Sequence, residues 1–167
     1  MAIAEALIPE FSHEAKTTRR LLEVVPEERF DWQPHEKSMT LGRLAGHIAE
    51  MPKWAHLTVR QDVLDFEDGG DYQPFNPATS EELLAGHDKA VEVFHRSLAG
   101  VDDQRMLATW TMRKGEEVLA EMPRVAAVRG FILSHIVHHR GQLSVYLRLL
   151  DVALPQTYGP TADNPSF

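Results

Sequence analysis

Apolar residues recur at helical spacing in four separate stretches of this chain, and connectors rich in proline and glycine part them. A helix that is apolar along one face must bury that face against another element, so this pattern constrains the fold more than any other feature. The first stretch, residues 2–25, carries Ile3, Leu7, Ile8, Phe11, Ala15, Leu21, Leu22 and Val25. Pro9 marks a start near its first turn, and Pro26 stops it. The second runs from Leu41 to Phe66 behind a Ser38 or Thr40 cap, with Leu44, Ile48, Met51 and Ala55 on one face. Pro52 lies inside it and predicts a kink, because its ring displaces the carbonyl of Ile48. The third begins at Thr79 or Ser80, with Glu81 and Glu82 in its first turn, and ends at Gly100. The fourth runs from Pro123 to Leu150. Between the last two, residues 104–121 alternate around Arg113-Lys114-Gly115-Glu116 and predict two short strands. Residues 26–39 and 67–78 read as connectors, the second a long crossover, and residues 152–167 as an irregular tail. The expectation is one all-α domain over residues 1–167: a four-helix bundle with long crossover connections and a small β-hairpin before the last helix.

Composition removes whole classes of chemistry. The chain has 167 residues, nine histidines and no cysteine, and its formal net charge is −8. It therefore has no disulfide, no thiolate-ligated metal and no thiol nucleophile of its own. Its acidity argues against nonspecific nucleic-acid binding, which draws on Lys and Arg at phosphates. No apolar run approaches the roughly 20 residues of a membrane span. The start, MAIAEALIPEF, lacks a basic, apolar leader. The expectation is a cytoplasmic protein with neither nucleic acid nor membrane as partner.

The histidines are the unusual residues. His135 and His139 are one helical turn apart, and both fall within the apolar stripe of Val128, Ile132, Leu143 and Tyr146. His47 lies in the second helix between Leu44 and Met51, again on the apolar side. An imidazole in an interior stripe needs a partner, because burying a polar group alone is costly. Two readings stand: hydrogen-bonded core residues, or three nitrogen donors that leave a divalent metal an open position. His138 is turned by about 100° from His139. His13, His35, His56, His87 and His95 read as surface or packing residues. His135 is not followed by Glu, so this is no HExxH zinc-protease helix, and the paired Glu-x-x-His of di-iron bundles is missing.

The segment Ser134-His135-Ile136-Val137-His138-His139-Arg140-Gly141-Gln142, followed by Tyr146-Leu147-Arg148, resembles the last-helix signature of the DinB (YfiT-like) superfamily. Leu41 to Glu50 resembles its second-helix motif. Asp31-Trp32-Gln33-Pro34-His35 and the tail Pro155 to Pro160 are similar as well. The resemblance implies a metal site of His47, His135 and His139 holding zinc or nickel, in a protein that is often a homodimer. It also implies relatives that use low-molecular-weight thiols, among them bacillithiol-dependent transferases and a mycothiol-dependent isomerase. A metal with an open position can turn a bound thiol into a thiolate near neutral pH. A chain without cysteine would take that sulfur from a cofactor.

Other residues carry two readings each. Trp54, seven residues after His47, and Tyr146, seven after His139, either wall a substrate pocket or pack the core. Glu50 and Gln142, each three residues after a candidate ligand, either support an imidazole N–H or face elsewhere. Arg140 is assigned to structure, paired with a carboxylate on another helix or chain. Tyr158 either covers the site or belongs to a plain surface tail. The functional expectation is a metal-dependent S-transferase or hydrolase acting on a small molecule, with bound thiolate or water as nucleophile. The alternative is a stress-response protein that binds a metal or small ligand without turnover.

Overall fold

The structure, a computed structural model, describes residues 2–67 and 73–166. It is mostly helical with one small sheet. Residues 68–72 of the expected crossover lie outside the described residues.

Helix α1 spans Ile3–Leu22, α2 Leu41–Glu50, α3 Ser80–Leu98, and α6 His135–Leu149. α1 and α2 each pack against both α3 and α6, so the apolar faces close on one another. Buried Leu7, Phe11, Leu44, Ile48, Phe94, Ile132, Leu143 and Leu147 join one core cluster. Phe11 of α1 and Phe94 of α3 stack with centroids 3.6 Å apart. The caps follow the sequence: Thr40 accepts from the Arg43 N–H at the start of α2, and Thr79 from the Glu82 N–H at the start of α3.

Pro9 departs from expectation and Pro52 follows it. Pro9 does not begin α1 but lies inside it. The carbonyl it leaves without a donor is that of Glu5, which is on the exposed side where water can serve it. Pro52 does distort the second stretch, through a 3-10 turn at Met51–Lys53. A π-helical turn follows at His56–Arg60, and the chain then leaves the helix instead of continuing to Phe66. The last stretch is composite: α5 at Arg124–Val128, a π turn at Arg129–Ser134, then α6.

The expected hairpin is part of something larger. β2, Thr109–Lys114, and β3, Glu117–Pro123, pair antiparallel around Gly115-Glu116. Gly115 has φ 58°, which a side chain rarely adopts and a tight hairpin turn demands. A third strand, β1 at Val63–Asp65, pairs parallel to β2 and makes a three-stranded sheet. The sequence concealed it, because three residues are too short to show alternation. A short helix α4, Asp103–Leu107, capped by Asp102, also precedes β2. Fully buried Trp110 ties the sheet to the helices; its indole N–H donates to the Leu57 carbonyl at 3.1 Å. No helix among the described residues is long and apolar enough to cross a membrane.

Two glycines let the connector after residue 73 lie close across α2 and α3. A Cβ on Gly46 would stand 2.3 Å from the Phe75 carbonyl oxygen, and one on Gly86 would stand 2.5 Å from the Phe75 ring. The first clash is with backbone, which cannot rotate away. Gly46→Ala is therefore expected to destabilise the protein by about 1–3 kcal/mol despite alanine's better helix propensity. Urea unfolding measures this, and a neutral or stabilising result would mean that the connector does not dock there.

Candidate metal centre

α2 and α6 pack together with His47 facing His135 and His139. Ring centroids are 5.3 Å apart for His47–His135, 4.7 Å for His47–His139 and 4.6 Å for His135–His139. One ring nitrogen from each of the three lies within 4.8 Å of the others. This is the group of three metal-ligating side chains found among the described residues, and it could hold a metal ion. The spacing of His135 and His139 made their meeting legible. The convergence with His47 depends on the α2–α6 packing.

The His139 ring is held by a hydrogen bond. His139 is buried, and its Nδ1 lies 2.7 Å from Gln142 Oε1. An amide oxygen only accepts, so Nδ1 carries the proton and Nε2 keeps its lone pair. The His47 Nδ1 is buried without a hydrogen bond and stands 3.5 Å from Glu50 Oε1. Glu50 is itself held: Arg43 Nη2 is 3.2 Å from Oε1, and the Phe75 N–H donates to Oε2 at 3.0 Å. Arg43 was a missed residue with a legible signal, since seven residues before Glu50 puts it on the same face of α2. Phe75 had none, because it acts through its backbone.

Trp54 and Tyr146 have contacts of their own. Trp54 lines a cavity between α2 and α3 whose lining includes Glu50 but no ring of the trio. Tyr146 packs edge-on against Trp32, centroids 5.7 Å apart, and its hydroxyl donates to the Met39 carbonyl. Exposed His138 meets His139 ring to ring at 4.9 Å. Arg140 has the structural place expected of it. It is buried, pairs with Glu14 of α1, and reaches the Tyr158 hydroxyl, so the tail is stapled to α1 and α6.

Burial favours the neutral form of His139 and His135. It pushes the His139 imidazole down to about 4 and lowers that of His135, with the neighbouring His47 acting the same way on both. An unfolded histidine titrates near about 6.5. Between those values the unfolded chain takes a proton that the folded chain refuses. Stability of the metal-free protein is then lost as pH falls from about 6.5 toward about 4, by up to about 3 kcal/mol. Urea unfolding across that window is expected to show the decline, and His139→Gln to flatten it. An equally steep decline in the variant would place its cause elsewhere.

A sequence model of the DinB family matches residues 3–165. The chain belongs to the DinB family. A curated relative, the uncharacterized protein YrdA of Bacillus subtilis, is 25% identical over 154 residues, which is 90% of this chain and 84% of YrdA. Among solved structures, a DinB-like protein from Bacillus cereus superposes with a TM-score of 0.69 at 21% identity, covering 92% of this chain and 97% of that one. The DinB-like protein YjoA of Bacillus subtilis gives 0.68 at 17% identity, covering 96% and 99%. At those identities the structural likeness shows the fold alone. The chain is thus a DinB family member with three histidines that could hold a metal ion.

Proposed function

We propose that His47, His135 and His139 hold one divalent zinc or nickel ion, and that the protein is a metal-dependent enzyme. Its reaction in this reading is S-transfer from a low-molecular-weight thiol, or hydrolysis, on a small-molecule substrate. The observation that carries it is the convergence of three imidazoles within 4.8 Å in a chain that offers no cysteine. Borderline metals favour such nitrogen donors. When bound, a three-coordinated divalent ion lowers the pKa of a thiol or water at its open position.

The chain's own residues prepare that position. Gln142 fixes the tautomer of His139 so that Nε2 faces the trio with its lone pair. Glu50 places a carboxylate beside the otherwise unpartnered Nδ1 of His47, where it favours a proton on that nitrogen and a lone pair on the other. Arg43 and the Phe75 N–H hold the carboxylate in place. Glu50→Gln is expected to weaken metal binding about 10–100-fold with little loss of fold, read by competition against a chelating dye. Unchanged affinity would remove Glu50 from the site. Exposed Val145 and Leu149 on α6 give an apolar face for a second copy, which supports a homodimer.

The activity is tested with metal-loaded protein, a panel of small thiols and an alkylating electrophile such as chlorodinitrobenzene, with activated esters for hydrolysis. Turnover that stops on chelation, returns with zinc or nickel, and is absent in His135→Ala is the expected result. Metal binding with no metal-dependent turnover on any pair would favour the non-catalytic binding protein.

A further inference from the structure

A second feature stands apart from the imidazoles. A cavity of about 750 Å³ opens between α3 and the distorted end of the second helical stretch. That volume lies in the range of small-molecule sites. Trp54, Leu57 and Val93 give it apolar walls, and Lys53, Arg60 and Arg96 give it cationic groups. The inverted charge is the telling point, because the whole chain carries −8. Among the described residues none of these three cations is in an ion pair. The acidic group in the lining, Glu50, is already engaged by Arg43 and the Phe75 N–H.

The cations are also placed. Arg60 Nη2 donates to the carbonyls of Arg96 at 3.2 Å and Ala99 at 2.9 Å, which fixes the guanidinium against the C-terminal end of α3. The Lys53 ammonium sits 5.4 Å from the centre of the Phe75 ring. Guanidinium and ammonium groups without acidic partners among the described residues, beside a tryptophan wall, match a ligand with one charged end and one apolar end.

We propose that this cavity binds a small amphiphilic anion, with its apolar body against Trp54, Leu57 and Val93 and its anionic head at Lys53, Arg60 and Arg96. The proposal requires no bound metal: none of the three imidazoles lines the cavity, although Glu50, which stands beside His47, forms part of its wall.

The test is calorimetric titration of the full chain with decanoate and with decanol, which share a body and differ in charge. Decanoate is expected to bind saturably at one site, at least about ten-fold more tightly than decanol. The double variant Lys53→Ala, Arg96→Ala should lose about ten-fold or more in decanoate affinity and leave decanol unchanged. Both residues are exposed, so its melting curve should match the wild type. Val93→Phe, which fills the cavity, should weaken both ligands. Equal binding of decanoate and decanol, or an unaffected double variant, would overturn the proposal. So would a loss of decanoate binding in His135→Ala, because the carboxylate would then be sitting at the histidines.

Discussion

Arg124→Ala is expected to lower the unfolding free energy by about 2–4 kcal/mol. Arg124 is 1% exposed, at the junction where the sheet meets the start of α5. Its guanidinium donates to the carbonyls of Ala108 at 2.9 Å, Thr109 at 2.6 Å and Gln61 at 3.2 Å, and it pairs with Asp62. The Asp62 side chain is 74% exposed, so water screens the ion pair and the carbonyls decide the cost. Ala108 keeps its backbone bond from the Arg124 N–H, whereas the carbonyls of Thr109 and Gln61, which belong to exposed residues, lose the guanidinium. Each of these lost hydrogen bonds costs about 1 kcal/mol, and the void left by the buried side chain adds to it. Denaturant unfolding at neutral pH measures the loss. Arg124→Met, which restores bulk without donors, should recover only the part due to the void. A change below about 1 kcal/mol would mean that the sheet does not depend on this anchor.

Metal is expected to stabilise the fold by a comparable amount. A ligand that binds only the folded state contributes about 2.7 kcal/mol when present at 100 times its dissociation constant. For a chain of this size that corresponds to a rise in Tm of about 5–10 °C. Scanning calorimetry of chelated, untagged protein with added zinc or nickel reads the shift. Magnesium, which prefers oxygen ligands, should produce none. His135→Ala should abolish the response to zinc and nickel. An equal shift from all three ions would point to nonspecific binding at acidic surface groups.

The helices were legible because each is amphipathic over several turns, and caps such as Thr40 and Thr79 announce their starts. The irregularities were not. Pro9 reads as a helix start by the usual rule, yet α1 tolerates it because the abandoned carbonyl faces water. The π turns at His56–Arg60 and Arg129–Ser134 leave no periodic signal, since one extra residue per turn looks like noise in a short window. β1 exists because β2 offers it an edge, which is a property of the assembled fold. At the candidate site, His135 and His139 could be paired from spacing alone. His47 could be placed on an inward face, but its meeting with the pair came from packing. Trp54 follows a 3-10 turn and lines a cavity beside α3, which spacing from His47 does not announce.

The central claim is that three imidazoles from α2 and α6 form one metal site. Native mass spectrometry combined with elemental analysis, on protein purified without a histidine tag, tests it most directly. The expected result is about one zinc or nickel ion per chain in the wild type and none in folded His47→Ala or His135→Ala. A wild-type protein that is metal-free and also rejects added zinc and nickel would contradict the account.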